Sequence, residues 1–104
     1  MKISYGKNVY DNKEIKAVIR TLKKSTQMGN SVLNFEKRIS TYFSKKYALM
    51  VNSGSSANLL AAFATINPLN SNATKKGSFF LIPSLCWSTS LWPLVQAGLK
   101  PIFI

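Results

Sequence analysis

The sequence predicts an α/β fold with a mainly parallel sheet, and three observations support this prediction. Residues 11–24 and 31–44 carry apolar residues at the i, i+3, i+4 and i+7 spacing of amphipathic helices. From residue 47 onward, short apolar runs alternate with further helical segments. Strands that alternate with helices pair in parallel through right-handed crossovers. The predicted order is therefore α-α-β-α-β-α-β.

Residues 1–46 are predicted to form an N-terminal helical arm. Asp11 is followed three positions later by Glu14, the spacing of a capping box, and this predicts the start of the first helix. Ser31 is expected to cap the second helix, because a serine hydroxyl can accept a hydrogen bond from a free N–H group of the first turn. Lys45 follows that helix, where a cation is favourable.

Residues 47–104 are predicted to begin the sheet. Apolar runs indicate strands, the first two buried, at residues 47–51, 79–82 and 101–104. The helices between them are expected at residues 56–66 and at residues 88–97, with Ser88 as the cap of the latter and Gly98 as its end. The last residues are apolar and β-rich, so we expect the chain to stop inside a core strand and to be a fragment of a larger domain.

The charge balance is strongly basic, with 14 Lys and Arg residues against three Asp and Glu residues and a net charge of +11. Such a balance suggests an anionic partner. The basic residues are scattered as pairs and form no run of five, and twelve of the 14 are Lys. This pattern is typical of a solvated surface. The alternative, a basic nucleic-acid-binding module, requires a contiguous basic face with interleaved aromatics, whereas Phe35, Phe63, Phe79 and Phe80 have core spacing.

Several other classes of site are excluded by residue type. The sequence has no His and a single cysteine, Cys86, so neither a Ser-His triad nor an internal disulfide can form. No cluster with metal-ligand spacing is present. Neither a signal peptide nor an apolar run of about 20 residues is present. We expect no membrane partner, no nucleic acid and a cytoplasmic location.

Two loops follow predicted strands and could bind a ligand together. Ser53–Ser56 is a small, hydroxyl-rich turn at a helix start, where free N–H groups and the helix dipole favour an anion such as phosphate. Trp87 lies in the loop after the next strand and offers a flat aromatic ring. Ligands of α/β sheets bind beyond the carboxyl ends of strands. A ligand with a phosphate and a planar ring would contact both loops, although a capped turn and a buried Trp are the ordinary structural alternatives.

The sequence resembles the DegT–StrS family of sugar aminotransferases that use pyridoxal 5'-phosphate (PLP). The agreement covers nearly the whole chain, in order, at Tyr10-Asp11, Phe35-Glu36, residues 48–60, residues 81–90 and residues 98–104. The resemblance implies the large domain of the aspartate-aminotransferase fold (fold type I) and a homodimer with active sites at the subunit interface. It further implies that Ser55 and Ser56 hold the cofactor phosphate, that Trp87 stacks on the pyridine ring, and that Thr26–Gly29 approaches the nucleotide sugar.

The implied function is transfer of an amino group from a donor such as glutamate to a nucleotide-linked keto-sugar, for surface polysaccharide such as lipopolysaccharide O-antigen. An alternative of the same fold is a nucleotide-sugar 3-dehydratase, which has a histidine in place of the Schiff-base lysine. In the family, that position and the carboxylate that pairs with the pyridinium nitrogen lie beyond residue 104. We therefore assign no catalytic residue to this chain and expect it to be inactive in isolation.

Overall fold

The computed structural model describes residues 6–27 and 29–104. The described chain divides after Ala48 into two compact units. The first unit contains the helices α1 (Asn12–Lys24) and α2 (Asn30–Tyr42). The second contains α3 (Gly54–Thr65), β1 (Phe79–Ile82), α4 (Ser88–Gln96) and β2 (Lys100–Phe103).

The start of α1 has the capping box that the sequence predicts. The Asp11 carboxylate accepts a hydrogen bond from the Lys13 N–H at 2.6 Å, and the Glu14 carboxylate accepts one from the Asp11 N–H at 2.8 Å. The second helix begins one residue earlier than predicted. Gly29 is its N-cap and Ser31 is already helical, so the prediction that Ser31 caps this helix is wrong. No residue of α1 or α2 is buried.

The second unit is built on a two-stranded parallel sheet. Phe79 pairs with Lys100 and Ile82 with Phe103, and α4 forms the connection between the two strands. Helix α3 packs against α4. The small core of this unit consists of one α3 residue together with residues of β1, α4 and the turn after α4: Ala62, Ile82, Pro93, Ala97 and Leu99.

The prediction of a first strand at residues 47–51 is wrong, because this segment, all of it described, forms no strand. A short parallel strand is stable only where neighbouring strands accept its backbone hydrogen bonds, and in the described chain the sheet consists of β1 and β2 alone. Leu49 is 71% exposed, so the segment is not covered on both faces either. The observed element order is therefore α-α-α-β-α-β.

The predicted burial of β1 is also largely wrong. Phe79 and Leu81 are each 67% exposed, and Ile82 is the one buried residue of the strand. Phe35 and Phe63, predicted for the core, are about half exposed. A strand residue is buried only if a helix or a second sheet packs on its face of the sheet. The described residues supply few contacts of this kind.

Gly98 ends α4 as predicted, and the geometry shows why a glycine is needed. The Leu99 N–H donates to the Leu94 carbonyl at 3.0 Å and the Gly98 N–H donates to the Val95 carbonyl at 2.9 Å, the pair of bonds that defines a Schellman motif. The motif requires a left-handed residue, and Gly98 has φ +83°. The turn directs the chain into β2.

Replacing Gly98 by alanine is expected to lower the free energy of unfolding by about 1–2 kcal/mol, because a Cβ is unfavourable at positive φ. Gly98→Asn should lower the free energy of unfolding by less, since asparagine tolerates this conformation. Gly6→Ala is a neutral control, as no heavy atom lies within 4 Å of the added Cβ. Chemical denaturation measures all three. Equal midpoints for Gly98→Ala and Gly6→Ala would contradict the prediction.

Candidate cofactor-binding site

The first turn of α3 is a capped helix start with open donors. The Ser53 hydroxyl accepts a hydrogen bond from the Ser56 N–H at 3.2 Å, and the Ser53 carbonyl accepts the first helical bond, from Ala57, at 3.1 Å. The N–H groups of Gly54 and Ser55, and the Ser55 hydroxyl, have no acceptor among the described residues. Gly54 and Ser55 are both exposed.

The two residues predicted to bind the phosphate, Ser55 and Ser56, differ in the exposure and hydrogen bonding of their hydroxyl groups. Ser55 is exposed and its hydroxyl is available to a ligand. The hydroxyl of half-buried Ser56 donates to the Asn52 side-chain oxygen at 2.7 Å and accepts from the Ser53 hydroxyl at 3.1 Å. A phosphate could replace the Asn52 side-chain oxygen as the acceptor of the Ser56 hydroxyl, because a hydrogen bond to a charged acceptor is about twice as strong as one to a neutral amide.

The aromatic partner, Trp87, lies beyond the carboxyl end of β1. It is the N-cap residue of α4 with an extended backbone, φ −67° and ψ 142°, so Ser88 is the first helical residue and not the predicted cap. The Trp87 side chain is 70% exposed. Within the described residues, the ring is therefore accessible to a ligand.

A tertiary hydrogen bond brings these two helix starts side by side. The Asn58 side-chain amide, three residues after Ser55, donates to the Thr89 carbonyl, two residues after Trp87, at 3.2 Å. The structure therefore places the predicted phosphate loop and the predicted ring platform on neighbouring helix ends. Sequence reasoning missed Asn58. The one available signal was Pro93, which removes the helical donor to Thr89 and leaves its carbonyl open to another group.

The electrostatics of this unit favour an anion. Residues 49–104 contain three Lys residues and no Asp or Glu, a formal side-chain charge of +3. The positive end of the α3 dipole adds to this potential at Ser55. This unit therefore has a net charge that favours an anionic ligand and no carboxylate for acid–base chemistry.

Other predicted features have little bearing on this site. No group of three His, Cys, Asp or Glu residues that could hold a metal ion occurs within residues 6–27 and 29–104. Across the same ranges, no helix is long and apolar enough to cross a membrane. The loop Thr26–Gly29, predicted to approach the nucleotide sugar, belongs to the first unit, and residue 28 lies outside the described residues.

The first unit has a separate groove along α2. It has a volume of about 630 Å³ and is lined by polar, aromatic and basic side chains: Ser31, Asn34, Phe35, Arg38, Ile39 and Tyr42. It contains none of the residues predicted to bind the cofactor.

Solved structures similar to this chain include PLP-dependent enzymes. The chain is similar to E. coli GDP-4-keto-6-deoxy-D-mannose-3-dehydratase with bound hydrated PLP, with a TM-score of 0.77 and 36% identity over 94% of this chain and 25% of that one. A GDP-4-keto-6-deoxymannose-3-dehydratase with a trapped PLP–glutamate geminal diamine gives a TM-score of 0.80 and 35% identity, over 99% and 27% of the two chains. The fold is thus that of the N-terminal region of fold type I PLP-dependent enzymes, as the sequence predicted.

The chain belongs to the DegT/DnrJ/EryC1/StrS aminotransferase family, whose sequence profile matches residues 8–104. It is 40% identical, over 101 residues, to GDP-4-keto-6-deoxy-D-mannose 3-dehydratase of Yersinia pseudotuberculosis, covering 93% of this chain and 25% of that protein. The chain therefore spans about a quarter of the length of this relative. The predicted family is confirmed, and these E. coli and Yersinia relatives are 3-dehydratases.

Proposed function

We propose that this chain supplies the cofactor-binding N-terminal part of a PLP-dependent 3-dehydratase that acts on a GDP-linked 4-keto-6-deoxy sugar. The observation that carries the proposal is the 40% identity, over 101 residues, to a 3-dehydratase of that substrate. The two solved structures with trapped or hydrated PLP support the cofactor. By the family resemblance, the enzyme would serve surface polysaccharide synthesis, be a homodimer and act in the cytoplasm.

The residues of the second unit fit the chemical groups of PLP. The N–H groups of Gly54 and Ser55 and the Ser55 hydroxyl can donate to the phosphate, and Ser56 can join them by releasing Asn52. Trp87 can cover one face of the pyridine ring, since its side chain is 70% exposed. When bound, PLP supplies the electron sink for the reaction. This chain's contribution is to hold the ring in one orientation.

An aminotransferase of the same family is the second candidate. It is favoured by the family description, which names aminotransferases. The two activities use the same cofactor, so the proposed phosphate and ring contacts would serve either. The family resemblance assigns the distinguishing residue, lysine or histidine, to a position beyond residue 104.

A domain-exchange experiment tests the proposal. Residues 8–104 would replace the matching N-terminal quarter of the Yersinia 3-dehydratase, and the chimera would be assayed with PLP, glutamate and GDP-4-keto-6-deoxymannose. We expect a product that has lost the 3-hydroxyl oxygen without retaining nitrogen, as mass spectrometry would show. A chimera that folds but neither binds PLP nor forms this product would contradict the proposal that residues 8–104 supply the cofactor-binding part.

A further inference from the structure

Pro93 leaves a gap in the hydrogen bonding of α4. In an α-helix, the residue at i+4 donates its N–H to the carbonyl of residue i, and position i+4 from Thr89 is Pro93, which has no N–H. The proline ring also pushes against the carbonyl of residue i−4 and turns it away from the helix axis. Pro93 is itself buried, whereas Thr89 is exposed.

Asn58 of α3 fills this gap. Its side-chain amide donates to the Thr89 carbonyl at 3.2 Å across 31 positions of sequence. Asn58 is three residues after Ser55, and residues at this spacing are neighbours on one side of a helix. The bond therefore joins the turn of α3 that carries the phosphate donors to the turn of α4 that follows Trp87.

We propose that Asn58 is a positioning residue that sets the spacing between the phosphate donors of α3 and the ring of Trp87. This inference rests on the proposed function, because the spacing matters only for a ligand that carries both a phosphate and a ring. Helix α3 also packs against α4, but packing of apolar groups is non-directional. The hydrogen bond is directional, and it fixes how far one helix start lies along the other.

The test uses ligands that occupy one half of the site or both. Pyridoxine 5'-phosphate has the ring and the phosphate but no aldehyde, so it cannot react with the twelve lysines. Inorganic phosphate and pyridoxine are the two halves. Asn58→Ala should weaken binding of pyridoxine 5'-phosphate about fivefold, the equivalent of one net neutral hydrogen bond, and leave binding of either half unchanged. Chemical-shift titrations of the purified chain measure all three.

We expect the Asn58→Ala variant to fold, because Asn58 is exposed and alanine is the better helix former. Asn72→Ala is the matched control, since the Asn72 side chain is exposed in a loop and makes no hydrogen bond among the described residues. Pro93→Ala provides a second test. It restores an N–H at position 93 that can donate to the Thr89 carbonyl. Asn58→Ala should therefore reduce the affinity for pyridoxine 5'-phosphate by a smaller factor in the Pro93→Ala background than in the wild type.

Each contrary result has a distinct meaning. If Asn58→Ala binds pyridoxine 5'-phosphate as tightly as Asn72→Ala does, Asn58 has no positioning role. If Asn58→Ala weakens the binding of inorganic phosphate as much as that of pyridoxine 5'-phosphate, Asn58 acts on the start of α3 itself and the inference is overturned. If the wild-type chain binds pyridoxine 5'-phosphate no better than either half, the proposed cofactor site and this inference both fail.

Discussion

Replacing Ser55 by alanine is expected to weaken binding of pyridoxine 5'-phosphate by about 10- to 150-fold. The Ser55 hydroxyl has no partner among the described residues, so in the free chain it is available to a phosphate. A hydrogen bond to a charged group contributes about 1.5–3 kcal/mol, which converts to this range of affinities. The same loss should appear for inorganic phosphate, while binding of pyridoxine, which has no phosphate, should not change.

Two variants control this measurement. Ser55→Thr keeps a hydroxyl at the same position and should retain most of the affinity. Ser71→Ala removes an exposed hydroxyl that makes no hydrogen bond among the described residues and should have no effect. Isothermal titration of each variant with both phosphate ligands gives the comparison. If Ser55→Ala and Ser71→Ala bind alike, the phosphate does not lie at the start of α3.

Replacing Trp87 by alanine should produce the complementary pattern. Stacking of a heteroaromatic ring on an aromatic side chain contributes about 1–3 kcal/mol, so affinity for pyridoxine 5'-phosphate should fall by about 5- to 150-fold. Pyridoxine should lose affinity as well, and inorganic phosphate should not. Trp87→Phe keeps an aromatic ring of smaller area, so its affinity for pyridoxine 5'-phosphate should lie between those of the wild type and Trp87→Ala.

Trp92 supplies the internal control for this experiment. The chain has two Trp residues, both exposed and close in sequence, at positions 87 and 92. Trp92→Phe leaves Trp87 as the single indole, so its fluorescence reports the ring contact directly. We expect quenching by pyridoxine 5'-phosphate to persist in Trp92→Phe and to vanish in Trp87→Phe. Persistence of quenching in Trp87→Phe would assign the ring contact to Trp92.

Local sequence signals predicted much of the fold. The Asp11–Glu14 capping box and the Gly98 Schellman turn appear where they were expected, because both depend on residues within one helical turn. The errors concern long-range contacts. Residues 47–51 have a strand composition but no strand, and Phe79 is exposed, since pairing and burial depend on which other segments lie alongside.

For the candidate site, sequence alone identified a family, a cofactor class and the residues Ser55, Ser56 and Trp87 as ligands to test. The helix start with free N–H groups and the aromatic ring after a strand are local patterns, and they indicated an anion and a planar ring. The resemblance to the family supplied the cofactor and the roles of these residues. Only the tertiary structure showed that the two helix starts lie together and that the Thr89 carbonyl, deprived of its helical donor by Pro93, accepts from Asn58. A hydrogen bond across 31 positions depends on packing, and packing is not visible in local sequence.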